Sequence, residues 1–216
     1  MKENQNTGYK ELNQKSLFLK VRKRLYEKLY CFQYDVNDFE ARAGIPATGH
    51  TYKRVESEEE LLKAKASIEQ YISKTKFQSV YKRYTNPERA SNFFFLYTPE
   101  GDFCGYTELV TKPFYDNALN TTIHVEEGGT FCVDLYLFKP YRAHHVGAQI
   151  IRAALSQTRE MGYKAMYGLI NENNPPSLRN AYHMGGEVTA CLYQFFPARP
   201  KWYMQKKLKE HGPNLL

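Results

Sequence analysis

The sequence predicts a mixed α/β domain, and its composition and its periodicity both support this fold class. Hydrophobic residues make up 42% and charged residues 25% of the 216 residues, close to the averages of globular domains. Predicted strands and helices follow the order β–α–β–α–β–β in the second half of the chain, which is typical of a mixed sheet. No apolar run approaches the ~18 residues of a membrane-spanning helix, and residues 1–30 lack the apolar stretch of an export signal.

The amino-terminal segment carries most of the positive charge. Residues 1–29 hold eight Lys/Arg and three Asp/Glu, out of a net charge of +7 for the whole chain. Within residues 15–30 an apolar residue recurs at every fourth position, at Leu17, Val21, Leu25 and Leu29. This spacing predicts an amphipathic helix that docks on the domain, or one in which Lys15–Lys28 contacts an anionic membrane surface or an acidic partner. Nucleic-acid binding is disfavoured, because the basic segment is short and no nucleic-acid motif is recognisable.

Strand and helix patterns also fill the first half of the chain. Residues 30–36 (YCFQYDV) are rich in aromatic side chains and predict a strand. A capping box that begins at Ser57 predicts a helix that reaches about Ser73. Residues 92–98 and 103–110 predict the two strands of a hairpin, because a turn rich in Pro, Gly and Asp separates them.

The second half of the chain supplies the rest of the predicted sheet. Its predicted strands lie at residues 121–125, 130–138, 164–170, 187–196 and 202–208. The run 130–138 (TFCVDLYLF) is almost unbroken in β-prone residues, which is typical of a central strand covered on both faces. Apolar residues at helical spacing predict a helix from Val146 to about Gly162, and a shorter helix over 176–184 begins with proline.

The segment that follows the central strand is the strongest candidate for a binding site. Pro140 ends the strand, and Arg142 leads directly into the next helix. The first amides of a helix have no partner within it and lie at the positive end of its dipole, so they favour a phosphate or pyrophosphate. Arg142 adds positive charge, and Gly147 lets a ligand approach the backbone. His144 and His145 add hydrogen-bond donors unless they are merely exposed.

This pattern alone does not define a family. A purely structural crossover fits it equally well, because the segment has neither the lysine and glycines of a P-loop nor a GxGxxG motif.

Two segments together resemble the signatures of the GCN5-related N-acetyltransferase (GNAT) superfamily. The pyrophosphate-binding pattern of that superfamily, Arg/Gln-x-x-Gly-x-Gly/Ala, falls on Arg142, Ala143, His144, His145, Val146 and Gly147. His145 stands where the first glycine is usual. The second block, Asn-x-x-Ala/Ser with a short helix and a final Gly-Phe, falls on Asn174, Ser177 and Gly185, with Gly186 in place of the Phe. The resemblance covers roughly residues 90–208.

This resemblance implies a fold, a co-substrate and a cofactor-binding surface. The fold is a mostly antiparallel central sheet with helices on both faces, the acyl-CoA N-acyltransferase fold. The co-substrate is acetyl-CoA or another acyl-CoA, with no metal. Pantetheine would lie along backbone groups of Leu137 and Phe138 as if it were an added strand. The residues implied for cofactor binding are Leu137, Phe138, Arg142, Ala143, His144, His145, Val146, Gly147, Ala148, Asn174 and Ser177.

The same resemblance implies a base, because the acceptor amine must lose a proton before it attacks the thioester. Asp134 lies inside the predicted central strand and is expected to act as base or amine anchor, unless it only pairs with a basic residue. Glu108, near the end of the predicted hairpin, is the second candidate. Tyr106, Phe131 and Tyr136 are expected to line the acceptor site.

The acid that protonates the leaving thiolate is a tyrosine in the family, and here the sequence departs from the pattern. The family position falls on Ala181, one residue before Tyr182. A one-residue shift on a helix turns a side chain by about 100°, so Tyr182 either reaches the site through a shifted helix or packs elsewhere. In the second case the thiolate leaves unassisted, which a thiol pKa of about 8.5 permits.

The predicted function is transfer of an acetyl or other acyl group from acyl-CoA to a primary amine of a small molecule or peptide. The alternative is a non-catalytic acyl-CoA-binding or regulatory module, which the departures at His145 and Ala181 favour. The four cysteines form no CxxC pair, which disfavours a metal knuckle. We expect a cytoplasmic protein with reduced thiols, because residues 1–30 carry no export signal. We divide the chain into a basic extension, 1–29, and an acyltransferase domain, 30–216, and leave a homodimer open.

Overall fold

Ten strands and five α-helices make up the part of the chain that the computed structural model describes, namely residues 26–38, 49–142, 146–195 and 202–208 with Pro213 and Leu215. The strands are β1 (Tyr26–Asp35), β2 (Thr51–Arg54), β3 (Ser91–Tyr97), β4 (Phe103–Val110), β5 (Phe114–Asp116), β6 (Thr121–Ile123), β7 (Gly129–Leu137), β8 (Ala165–Asn171), β9 (Glu187–Phe195) and β10 (Trp202–Lys207). The helices are α1 (Glu58–Lys63), α2 (Lys65–Tyr71), α3 (Lys74–Tyr84), α4 (Val146–Glu160) and α5 (Pro175–His183). Within these ranges no helix has the length and apolar character needed to span a bilayer.

Eight of the strands form one sheet in the order β10-β9-β1-β8-β7-β4-β3-β2, while β5 and β6 pair only with each other. Neighbours in the sheet run antiparallel except β7 and β8, which are parallel. A parallel pair requires a crossover connection, and α4 supplies it between β7 and β8. The predicted mixed, mostly antiparallel sheet is therefore confirmed.

Helices cover both faces of this sheet, as the sequence predicts. On one face, α1, α2 and α3 pack through residues such as Leu61, Ile68 and Phe77 onto Phe93 and Tyr106 of the sheet. On the opposite face, α4 and α5 enclose a second core with β1, β3 and β4. That core includes Phe32, Phe94, Leu109, Ile151, Leu155 and Met184. Strand side chains alternate between faces, so β3, β4 and β7 each contribute to both cores.

The β5–β6 hairpin closes a third buried cluster beside the helices α1–α3. Phe114 and Ile123 of the hairpin pack with Phe131 and Tyr167 of the sheet. Leu215 is 1% exposed within this cluster, and its carbonyl accepts a hydrogen bond from the backbone amide of His124 at 3.0 Å. The predicted strand at 121–125 thus exists as β6 but does not join the main sheet.

The predicted amino-terminal helix is wrong over residues 26–30, which belong to β1. This strand lies in the interior of the sheet, between β8 and β9. Pairing on two edges outweighs a local helical period, because strand formation depends on tertiary partners more than on intrinsic propensity. The sheet therefore includes residues 26–29, which the sequence analysis assigned to the amino-terminal extension. The rest of the predicted helix, residues 15–25, lies outside the described residues, so contact of this segment with a membrane stays a prediction.

Two short helices, α1 and α2, stand where the sequence predicts one, and a third helix, α3, follows them. The predicted N-cap is confirmed, because the amide of Glu60 donates to the Ser57 hydroxyl at 3.2 Å, while the Glu60 carboxylate accepts from the amide of Glu56 rather than that of Ser57. The chain then turns again at Ser73, whose hydroxyl accepts from the amide of Lys76 at 3.1 Å and begins α3. Sequence analysis missed α3, although Ser73 is a preferred N-cap residue. The omission matters, because α3 carries side chains of the candidate site.

Candidate active site

Strand β7 contains a one-residue bulge at Val133. Glu108 of β4 pairs with Asp134 and Leu109 pairs with Cys132, so Val133 has no partner on β4. The parallel pairing of β7 with β8 ends at the same point, with Cys132 opposite Gly168. Residues 133–137 of β7 and 169–171 of β8 are all described, and no pairing joins them. A gap therefore opens between the two parallel strands at the bulge.

The hydrogen bonds to β4 show which backbone groups of β7 face this gap. The amide of Phe138 donates to the carbonyl of Cys104 on β4 at 2.9 Å. Because bonded and non-bonded pairs alternate along an antiparallel ladder, the amides of Leu135 and Leu137 point away from β4. Leu137 thus faces the gap as expected. The expectation that Phe138 offers its amide to a cofactor is wrong, because β4 already holds that amide.

The bulge also decides the side on which Asp134 lies. Before it, the hydroxyl of Thr130 contacts that of Thr158 on α4 at 3.0 Å, so even-numbered side chains of β7 face α4. A regular strand would direct Asp134 to the same side. The extra residue reverses the alternation, because a shift of one residue moves every later side chain to the other face. Asp134 therefore meets α3, where it contacts Lys76 and Arg83.

Asp134 is held through one of its two carboxylate oxygens. Its Oδ2 accepts from Lys76 Nζ at 2.6 Å, from Arg83 Nη2 at 2.7 Å and from the Tyr106 hydroxyl at 3.1 Å. Among the described residues no donor reaches Oδ1, and the side chain remains 16% exposed. The carboxylate is thus fixed in orientation with its second oxygen available. The alternative given by the sequence, that Asp134 pairs with a basic residue, is also observed, because both Lys76 and Arg83 pair with it.

Glu108 is fully buried, and both of its oxygens are engaged. Its Oε2 accepts from Arg83 Nε at 2.7 Å, while its Oε1 accepts from Arg89 Nε at 2.9 Å and from the Ser91 hydroxyl at 2.8 Å. A carboxylate in this position has no free oxygen for a substrate proton. The geometry therefore favours Asp134 over Glu108 as the group that meets an acceptor, and it gives Glu108 the task of holding two arginines.

Arg83 links the two carboxylates into one network. Its guanidinium contacts Glu108 and Asp134, and its Nη1 donates to the hydroxyl of Ser79 at 2.8 Å. Burial acts to lower the pKa of Arg83, but the charges of Glu108 and Asp134 outweigh burial and raise it. Burial and the charge of Asp134 raise the pKa of Tyr106, so its phenol stays protonated and donates. Sequence analysis missed Lys76, Arg83 and Arg89, because α3 was not predicted and charged side chains on a loop or helix give no local signal of burial.

Tyr182 lies on α5 and is 57% exposed. Its ring meets Phe32 edge-on, with ring centroids 5.0 Å apart, whereas Ala181 is fully buried. This is the placement expected for a tyrosine that packs near the surface. A role for Tyr182 as the acid stays a prediction. Among the described residues, Tyr182 makes no contact with Asp134.

The predicted phosphate-binding segment is described on both sides of Ala143, His144 and His145, which lie outside the described residues. Before them, Arg142 Nε donates to the Leu137 carbonyl at 2.9 Å, and its guanidinium lies 5.2 Å from the ring of Tyr136. Arg142 is otherwise exposed, at the end of β7 and close in sequence to the start of α4. It is therefore anchored without losing access to a ligand.

After residues 143–145, the first turn of α4 contains Val146, Gly147 and Ala148, of which Val146 and Ala148 are buried. A side chain at Gly147 would overlap the amide of Asn180 on α5. The described reason for glycine here is thus close packing of two helices, rather than the approach of a ligand that the sequence suggests. Contact of these residues with a cofactor stays a prediction.

Asn174 and Ser177 form the start of α5. The Asn174 side chain accepts from the Ser177 amide at 3.3 Å, which is the geometry of an N-cap. The motif residues thus have a structural task of their own. Whether they also contact a cofactor stays a prediction.

The cysteines do not provide a nucleophile. All four are free thiols, and burial raises the pKa of Cys31, Cys104 and Cys132 to about 12. A thiol with such a pKa is protonated at neutral pH, and only the thiolate attacks efficiently. In the part of the chain that the structure describes, no cluster of His, Cys, Asp and Glu could hold a metal ion.

Comparison with known families agrees with this fold. The sequence model of the Acetyltransferase (GNAT) family matches residues 59–185, which is more than half of the chain. The protein therefore belongs to the GNAT family, and the resemblance found in its two motifs is confirmed. No curated protein matches the sequence.

Solved structures share the fold at low sequence identity. A conserved protein of unknown function from Staphylococcus epidermidis has a TM-score of 0.54 at 9% identity and aligns with 89% of this chain and 67% of its own. A GCN5-related N-acetyltransferase from Kribbella flavida has a TM-score of 0.53 at 14% identity and aligns over 82% and 62% of the two chains. A GCN5-related N-acetyltransferase from Sphaerobacter thermophilus has a TM-score of 0.51 at 10% identity and aligns over 89% of this chain and 56% of its own. This chain thus spans only part of the length of these proteins, and identities this low show the fold alone.

Proposed function

We propose that the protein transfers an acetyl or other acyl group from acyl-CoA to a primary amine, which attacks the thioester directly. Membership of the GNAT family supports acyl transfer in general. The observation that carries the finer proposal is the position of Asp134 one residue after the bulge, where β7 and β8 separate. A carboxylate oxygen without a partner therefore lies at the point where a gap opens in the sheet.

The gap-facing edge of β7 suits pantetheine. The amides of Leu135 and Leu137 lie on that edge, where an extended ligand can pair with them as a strand would, while the Leu137 carbonyl already accepts from Arg142. Arg142 stands exposed at the end of the same strand and carries a charge for a phosphate. When bound, acyl-CoA supplies the thioester, and a gap-facing amide of β7 is suited to stabilise its oxyanion.

Asp134 then serves the acceptor. Its Oδ1 accepts a hydrogen bond from the ammonium of the acceptor and receives the proton that the amine must lose. Lys76, Arg83 and Tyr106 hold Oδ2, so the side chain cannot rotate away. Positioning of this kind lowers the entropic cost of bringing base and amine together.

The thiolate leaves without help from Tyr182 in this proposal. The exposed position of that tyrosine against Phe32 supports this, and a thiol of ordinary pKa, about 8.5, is a tolerable leaving group. The acceptors in question are small molecules or peptides with a primary amine, and we place the reaction in the cytoplasm. A dimer and contact with a membrane remain untested predictions.

A non-catalytic acyl-CoA-binding module is the second candidate. The buried Ala181 at the family's tyrosine position favours it, because the usual acid is missing there. Both candidates bind acyl-CoA, and only the first consumes it.

Two measurements test these functions. Calorimetric titration with acetyl-CoA is expected to show binding; no heat at millimolar acetyl-CoA rejects both candidates. Release of free CoA is then followed with a thiol reagent while a panel of primary amines is added. We expect release with at least one amine class, and binding without release for any amine establishes the non-catalytic module.

A further inference from the structure

A cavity of about 630 Å³ lies between α3, the turn Pro87–Arg89 and strand β5. Its mouth is formed by exposed polar side chains, among them Gln78 and Asn117. Arg83 and Arg89 lie at its inner wall, and Arg89 is only 7% exposed. Two guanidinium groups that are largely removed from solvent therefore border an open volume.

Arg89 is fixed in place and still has donors to offer. Its Nε donates to Glu108 at 2.9 Å and its Nη1 to the carbonyl of Tyr115 at 3.0 Å. Its guanidinium also lies 4.4 Å from the ring of Phe114, which forms part of the cavity. Among the described residues nothing accepts a hydrogen bond from Nη2. Because a guanidinium has five N–H groups, Arg89 retains donors that point toward neither Glu108 nor Tyr115.

The charges around the cavity are unequal. Lys82, Arg83 and Arg89 line it together with one carboxylate, that of Glu88. Behind the wall, Glu108 pairs with both arginines, and Asp134 pairs with Arg83 and Lys76. Counted together, the four cations Lys76, Lys82, Arg83 and Arg89 exceed the three carboxylates by one. Lys82 is exposed at the mouth, and within the described ranges no carboxylate pairs with it. The cavity thus favours an anion, and guanidinium groups favour one with two oxygens.

We propose that this cavity binds the oxyanion end of the acyl acceptor, so that the acceptor is an acidic amine with a carboxylate or phosphate remote from its amino group. The proposal rests on the proposed function, because it treats the amine as the acceptor. Arg83 connects the two ends: its guanidinium lines the cavity and also donates to Asp134 Oδ2 at 2.7 Å. An acceptor whose amine reaches Asp134 therefore has its other end near a positively charged cavity.

Matched ligands test this directly by binding, without turnover. Isothermal titration uses a series of ω-amino carboxylates of increasing chain length, the alkylamines and alkyl carboxylates of the same lengths, and ω-amino alkyl phosphates. We expect at least one amino carboxylate or amino phosphate to bind about tenfold more tightly than the alkylamine of equal length. Its affinity should fall as salt is added, since the attraction is between charges. The ratio between carboxylate and phosphate identifies the preferred oxyanion.

Charge reversal locates the site. Lys82→Glu adds a carboxylate at the mouth of the cavity without disturbing a buried contact. We expect it to weaken the binding of the preferred acidic amine about fivefold to tenfold. Lys207→Glu, on the exposed edge strand β10, changes the net charge equally and should leave affinity unchanged. Arg89→Lys keeps the charge but loses Nη2, and a folded variant should also bind less tightly.

The outcomes separate this proposal from the proposed function. Equal affinity for acidic amines and plain alkylamines, or equal weakening by Lys82→Glu and Lys207→Glu, overturns the acidic acceptor. If acetyl-CoA still binds and is consumed with uncharged amines, acyl transfer stands and only the acceptor class is wrong. If acetyl-CoA does not bind while acidic amines do, the cavity stands and the acyltransferase assignment fails.

Discussion

The cofactor side and the acceptor side of the candidate site are assembled from different parts of the chain. The proposed cofactor side comes from two short stretches of sequence, Arg142 with Val146–Ala148 and Asn174–Ser177, and the described part of each lies at or just before the start of a helix. The acceptor side joins Lys76, Arg83 and Arg89 to two carboxylates on neighbouring strands. The proposed cofactor side depends on the packing of α4 against α5. The proposed acceptor side cross-links α3 to the sheet. Substitutions on the cofactor side should therefore have local effects, whereas substitutions on the acceptor side should affect both the stability of the fold and the reaction.

The largest effect is expected from removal of Glu108. Glu108→Ala leaves Arg83 and Arg89 without their shared buried partner, so the free energy of unfolding should fall by about 3–5 kcal/mol. Urea denaturation followed by circular dichroism measures this. Glu88→Ala, at an exposed position near the same arginines, should change stability by less than about 0.5 kcal/mol. A loss below about 1 kcal/mol for Glu108→Ala would show that the ionic network does not hold α3 to the sheet.

Asp134→Asn should separate catalysis from cofactor binding. The amide retains one oxygen for Lys76 and Arg83 but cannot take a proton from the amine, so turnover should fall about 100-fold or more. The affinity for acetyl-CoA should stay within about twofold, because the backbone of Leu135 and Leu137 is unchanged. Steady-state release of CoA and calorimetry measure the two quantities.

Tyr182→Phe is the matched comparison for Asp134→Asn. It deletes an exposed hydroxyl and keeps the ring contact with Phe32, so we expect turnover within about threefold of the unchanged protein. A loss as large as that of Asp134→Asn would make Tyr182 the acid after all, and it would contradict unassisted departure of the thiolate.

The contrast between contiguous and distant residues explains which features the sequence predicts well. Arg142, Asn174 and Ser177 lie in short motifs at helix starts, and helix starts have local signals in capping residues and proline. The hairpin and the central strand follow from runs of β-prone residues, so their bounds were close to those observed. These features depend on neighbours in the sequence, and such dependence is visible in a single chain.

The features that escaped prediction depend on distant partners. The bulge at Val133 is visible only once β4 is placed beside β7, yet it decides which face Asp134 occupies. Lys76 and Arg83 become part of the site only because α3 crosses that face. The strand character of residues 26–30 likewise depends on β8 and β9. Asp134 itself was found because an acidic residue within a β-prone run is conspicuous.

Gly147→Ala tests the local character of the cofactor side. A methyl group there overlaps the end of the Asn180 side chain, which must turn aside at a cost of about 0.5–1.5 kcal/mol, offset by up to about 1 kcal/mol from the better helix propensity of alanine. Truncating the neighbour in the double variant Gly147→Ala/Asn180→Ala should recover most of the loss. A double-mutant cycle on urea denaturation gives the coupling. Additive effects would mean that the two residues do not pack against each other, and that glycine is needed there for another reason.

The last effect concerns the thiols, and it bears on the acceptor side through Cys132, which lies where β7 and β8 separate. Burial raises the pKa of Cys31 and Cys132 to about 12, against an ordinary value of about 8.5, so their thiolate fractions near pH 8 should be reduced about a thousandfold or more. Because the folded pKa is the higher one, these thiols contribute their full stability below about pH 8.5 and lose it as pH rises toward 12. The free energy of unfolding should therefore decline between pH 8.5 and pH 10, by up to about 1.4 kcal/mol per pH unit for each thiol, and Cys132→Ser and Cys31→Ser should each reduce the decline.

Reaction of the native protein with a disulfide reagent at pH 8 checks the same point kinetically. We expect slow modification of Cys132 that accelerates when urea unfolds the chain, since its thiol is only partly exposed and its ionisation is suppressed in the folded protein. Rapid modification of Cys132 in the folded protein, abolished by Cys132→Ser, would contradict this. It would place a reactive nucleophile beside Asp134, and the acyl group could then pass through the enzyme before it reaches the amine, which direct attack does not allow.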